Sequence, residues 1–188
     1  IATNARLVKL NSPNRSSNFV DRVSNIIFTN NNIEIERISK KIGAEASATR
    51  GAYKNAGQED RNKGLLKSLT GEFNKKLTLK SFTIANLDNL KDTVEMNYTF
   101  TVENFTSEIM GIQIFKLPWS DSYNSLDFVS LETRKYPFNL WSFNTTSRDK
   151  EVMTVILPAG KKMAELPKNI SLSCPSMSYN LSFEIKPD

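Results

Sequence analysis

The sequence contains no histidine and a single cysteine, and these two gaps exclude most familiar catalytic chemistries. Cys–His and Ser–His nucleophile–base pairs, histidine-rich zinc sites and imidazole proton shuttles all need side chains that are missing. One cysteine cannot form a disulfide within the chain, so the redox state of Cys174 stays open. Cys174 has no base beside it and reads as a small buried hydrophobe. No apolar run approaches the roughly 18 residues of a membrane-spanning helix. Ile1 does not open the basic, apolar and small-residue series of a secretory leader. The chain begins without Met on a strand-like stretch, Arg6 to Leu10, and reads as a fragment whose targeting signal would lie upstream.

Concentrated positive charge is also scarce. The net charge is +5, but Lys and Arg never run longer than two and are interleaved with acids. That pattern describes a solvated surface and gives no nucleic-acid footprint. Asp121, Asp127, Glu132 and Asp149 have the spacing of no calcium loop, and no glycine provides its tight turn. The sequence therefore predicts no metal, no cofactor and no catalytic residue, and the expected chain is not an enzyme.

What is present is strand pattern. Val94-Glu95-Met96-Asn97-Tyr98-Thr99-Phe100-Thr101-Val102 alternates without a break, as a strand does with one face on a core. Residues 18–29 and 33–42, separated by an Asn30-Asn31-Asn32 turn signal, predict a hairpin. Ala44, Ala48, Ala52 and Ala56 then recur every four residues, which predicts a helix with a small-residue packing face. Gly57 interrupts it, and Gln58-Glu59-Asp60 opens a second helix with the apolar stripe Leu65, Leu66, Leu69 and Phe73. Strands are expected at 76–85, 93–103, 109–117, 150–157, 168–174 and 178–186. Leu-Pro pairs at 117, 157 and 166 end or turn strands, because proline cannot donate to a ladder. The fold expected is mainly β with a short helical segment: residues 1–73 as a β-hairpin plus one or two helices, and residues 74–188 as an antiparallel β-sandwich.

Aromatic residues gather in the least regular stretch, 119–143. Trp119, Tyr123, Tyr136 and Trp141 are the candidate interaction surface there, suited to a protein partner or to stacking on sugar rings. The same side chains would equally plug one end of a sandwich or pack on a neighbouring domain.

Several segments carry a resemblance. Glu34-Ile35-Glu36-Arg37 followed by Gly43 to Arg50 resembles a strand-then-helix element of Bacteroidetes-type transglutaminase-like proteins. Leu117-Pro118-Trp119, Arg134-Lys135-Tyr136-Pro137-Phe138, Thr154 to Gly160 and Glu165-Leu166-Pro167 resemble later parts in the same order. In that family a β domain of unknown function follows a papain-like core. The resemblance implies that Arg134, Tyr136 and Pro137 match a structural edge, and that Leu157, Pro158 and Gly160 match a strand-end turn. It also implies that the catalytic Cys, His and Asp lie upstream of Ile1, and that the protein is periplasmic or at the cell surface. The function expected is a non-catalytic domain that packs on, or presents substrate to, the upstream core. The alternative is an independent carbohydrate- or peptidoglycan-binding module.

Overall fold

The computed structural model describes residues 14–118, 147–174 and 177–186, in two compact units that divide after Ile156. The protein is mainly β with a short helical segment, and antiparallel pairing dominates its main sheet. In the first unit a 3-10 turn, Arg15–Ser17, leads into β1 (Phe19–Thr29) and β2 (Asn32–Ile42). The two form a hairpin in unbroken register from Phe19↔Ile42 to Thr29↔Asn32. Asn30 takes the turn with φ 57°, the left-handed conformation that Asn tolerates. Helices α1 (Ala44–Tyr53) and α2 (Gln58–Phe73) follow, then β3 (Leu77–Ala85) and β4 (Val94–Val102).

The five-stranded sheet runs β3-β4-β2-β1-β7, where β7 is Arg148–Ile156. The hairpin is therefore the middle of the sheet. β2 pairs with β4 from Ile33↔Val102 to Lys41↔Val94, across the boundary expected after residue 73. Two strands alone are marginal in water, and these acquire ladder partners on both sides. β7 joins β1 in parallel, Phe19↔Arg148 through Ile27↔Ile156, a pairing that strand alternation does not signal.

α1 and α2 cover one face of the sheet. Leu65 and Leu69 of α2 pack with Ile26, Ile33, Ile35, Val94, Phe100 and Val102 in one core. Phe73 meets Phe100 edge-on at 5.4 Å, and Tyr98 stacks beside Phe100 at 6.0 Å. The alanine face expected of α1 is turned to solvent instead: Ala44, Ala48 and Ala52 are exposed, while Ala46, Thr49 and Arg50 are buried. Arg50 explains that choice. Its Nη2 donates to the carbonyls of Asn89 (2.7 Å) and Asp92 (2.6 Å), so α1 anchors the β3–β4 connection. The single strand expected at 109–117 is a small hairpin, β5 (Ser107–Ile109) and β6 (Ile112–Ile114). It turns at Met110-Gly111, where both φ angles are positive, 51° and 78°.

Among the described residues the second unit holds one hairpin, β8 (Ile170–Cys174) with β9 (Met177–Leu181). The closing strand expected over 178–186 pairs only as far as Leu181. Among the described residues no helix is long and apolar enough to cross a membrane.

Candidate functional site

The covered face of the sheet has two ends of opposite character. At one end the rows across the strands are apolar: Leu79, Phe100, Ile35, Ile26 and Val155 stand in line. Two residues along, the same line reads Phe82, Tyr98, Arg37, Ser24 and Met153, and the next reads Ile84, Met96, Ser39, Arg22 and Glu151. Polar and charged side chains thus point under the helices where a core would ordinarily continue. On the opposite face, between these two lines, Ile38, Val23 and Val152 form an exposed aliphatic row that continues into Asn97 and Thr83.

Arg37 is the centre of the buried polar end and is 1% exposed. Its Nε donates to Ser24 Oγ at 3.0 Å. A single nitrogen, Nη1, donates to both carboxylate oxygens of Glu72 on α2, at 2.9 and 3.1 Å. The guanidinium carbon lies 5.8 Å from the centre of the Phe100 ring. Nη2 is buried without a well-formed hydrogen bond, as is Ser39 Oγ on the next inward position of β2, and the Tyr98 hydroxyl lies against the guanidinium. An orphaned buried donor is costly, and these two residues occupy successive inward positions of β2.

Both residues line a cavity of about 130 Å³ between the sheet and α2. Tyr98 and Met96 complete its floor, and Tyr53, Leu65, Ser68 and Leu69 bound it from the helices. Arg22, Lys41 and Glu72 stand around it half-buried, and Ser68 is exposed, so the rim reaches solvent. Burial pushes the Tyr98 and Tyr53 phenols up from their ordinary value, which keeps both as neutral hydroxyls able to donate. Burial also pushes the Glu72 carboxyl up, outweighing the opposing pull of Arg37.

The sequence did not single out this site, although a signal was there. In β2, Ile33 and Ile35 sit at odd positions and Ile38 and Ile42 at even ones, with no bulge to reset the alternation. β1 does the same, with Val20, Ile26 and Phe28 against Val23 and Ile27. A parity change without a bulge requires one stretch of polar residues to face inward.

Of the candidate residues from sequence, Trp119, Tyr123, Arg134, Tyr136, Pro137 and Trp141 lie outside the described residues. Leu157 and Pro158 follow directly on β7, half-buried. Lys161 N donates back to Pro158 O at 3.0 Å, and Gly160 supplies a φ of 78° for that turn. Cys174 is exposed, where a buried hydrophobe was expected. It closes β8 on a hairpin whose strands leave both faces open. Among the described residues no group of three or more His, Cys, Asp or Glu side chains is placed to hold a metal. No family model matches the chain, and no curated protein matches it in sequence.

Proposed function

We propose that the chain is a non-catalytic structural and interaction domain of an exported transglutaminase-like protein, packing on or presenting substrate to an upstream catalytic core. The observation that carries this reading is the two-sided character of the β8–β9 hairpin. Its register pairs Ile170↔Leu181, Leu172↔Tyr179 and Cys174↔Met177 on one side, and Ser171↔Asn180 and Ser173↔Ser178 on the other. The apolar side is nonetheless bare: Leu172 and Met177 are each 62% exposed. A lone two-stranded hairpin is marginal in water, and an apolar side on it calls for a covering surface. Covering each large side chain contributes up to about 1.5–3 kcal/mol before the costs of association. The exposed Ile38, Val23 and Val152 row on the main sheet supplies further apolar area of the same kind.

Cys174 makes the reading testable, since it is the only thiol and ends the apolar side of β8. Its rate of alkylation by a maleimide is measured with and without the separately produced upstream core. Docking through this side slows the reaction at least tenfold, and Leu172→Lys restores the free rate. An unchanged rate in the presence of a folded core overturns the docking role.

A further inference from the structure

We propose that the cavity at Arg37 and Ser39 is a binding site for a small oxyanion, phosphate or a short carboxylate. Four observations converge on that chemistry. First, the unpartnered atoms include a pure donor. Arg37 Nη2 carries hydrogens and no lone pair, and Ser39 Oγ can donate beside it. A ligand rich in acceptors satisfies both, whereas a cation or an aliphatic group satisfies neither.

Second, the pairing of Arg37 leaves the matching edge of its fork available. Guanidinium–carboxylate pairs commonly use two nitrogens for two oxygens. Here Glu72 gives both oxygens to Nη1 alone and Ser24 takes Nε, so Nη2, with no well-formed hydrogen bond of its own and the Tyr98 hydroxyl close to the guanidinium, is the position left for a second oxyanion. Third, the one carboxylate in the lining, Glu72, is already held by Arg37 Nη1. Arg22 and Lys41 at the rim are engaged with neighbours of their own, and Glu151 acts on Glu72 from beyond the lining. The buried donor edge of Arg37 is therefore where an acceptor gains most, since charge interactions strengthen away from bulk water.

Fourth, size sets the class. A cavity of about 130 Å³ has room for a single acid group with a few further atoms, roughly four water volumes. It does not enclose a sugar ring or a nucleotide. The floor of Arg37, Ser39 and Tyr98 is buried, and the half-buried Arg22 and Lys41 at the rim give a charged approach to it. This site is independent of the apolar hairpin, and its test does not depend on docking.

The test is calorimetric titration of the whole chain with sodium phosphate and, separately, sodium acetate, each against sodium chloride at matched ionic strength. Saturable binding of at least one oxyanion is expected, with chloride giving none. Ser39→Ala removes one hydroxyl from the floor and should weaken binding about tenfold, the worth of one charge-assisted hydrogen bond. Arg22→Gln, changed at the rim, should weaken it several-fold. If neither oxyanion binds better than chloride, the cavity holds water alone and the proposal fails. If one binds with unchanged affinity in both variants, the anion sits elsewhere and the assignment to this cavity fails.

Discussion

Arg37 and Glu72 meet across 35 residues of sequence, one from the middle strand of the sheet and one from the last turn of α2. The two partners are unequal. Arg37 has Ser24, Glu72 and the Phe100 ring about it, all arranged for a cation. Glu72 has been moved toward its neutral form by burial. Replacing Arg37 by Met should therefore cost about 3 kcal/mol or more, because the half-buried Glu72 carboxyl and the buried Ser24 hydroxyl lose their donor. Glu72→Gln keeps an oxygen to accept from Nη1 and should cost no more than about 1 kcal/mol at neutral pH. Urea unfolding of both variants decides the order, and equal losses would show that the pair stabilises symmetrically.

A pH dependence follows from the same group. A carboxyl whose folded pKa is raised binds its proton more tightly in the native state than in the unfolded one. Its contribution is fully present below the unfolded value, about 4.3 for Glu, and is lost as pH rises through the folded value. The stability of the native protein relative to Glu72→Gln should thus fall between about pH 4 and neutrality. Melting curves of both proteins at several pH values across that range provide the measurement. A difference that grows in favour of the native protein as pH rises would mean that Arg37 overcomes burial.

Gly43 has no room for a side chain. It adopts φ +76°, and an added Cβ would sit 2.4 Å from Asn18 Oδ1 and 2.7 Å from Ser17 O. That same Asn18 oxygen accepts the N–H of Ala44 at 3.0 Å, so a residue before β1 caps α1 from a distance. Gly43→Ala should cost about 1–3 kcal/mol through strain and the displacement of Asn18. Asn18→Ala should cost about 1 kcal/mol for the lost cap. In the double variant the two losses should fall short of additive, since Gly43→Ala already disturbs the cap; strict additivity in thermal melts would separate the two effects.

The parity change in β1 makes a plain prediction about neighbours in sequence. Ile26 is 1% exposed in the core and Val23 is 47% exposed on the open face. Ile26→Ala should cost about 2–5 kcal/mol, and Val23→Thr within about 0.5 kcal/mol. Denaturant midpoints for the two variants check the facing of the whole strand at once.

These examples also mark how far the sequence could be read. β4 was legible from end to end because its alternation keeps one apolar parity throughout. The hairpin and the break at Gly57 were legible for the same local reasons, through asparagine and glycine chemistry. The alanine stripe of α1 misled, because small side chains gain little from burial while Arg50, four residues from Ala46, gained several carbonyls. The sheet order was out of reach of local pattern: nothing in residues 148–156 says that they will lie parallel to residues 19–27. The cavity was hidden for a related reason. Its floor is assembled from β2 and β4 and its roof from α2, so its members come together only once the strands are ordered.

The parallel pairing of β1 with β7 also fixes a sequence of events in time. Asp21 and Arg148, which form an ion pair at 2.8 Å across that ladder, are separated by 127 residues. A ribosome adding about 5–20 residues per second leaves roughly 6–25 s between the emergence of the two. Through that interval the β1 edge of the nascent hairpin presents open amides and carbonyls, with Val23 and Ile27 beside them. An edge of this kind recruits any extended strand. The charges Asp21 and Arg22 at its start are the local protection that the chain carries until its own last sheet strand arrives.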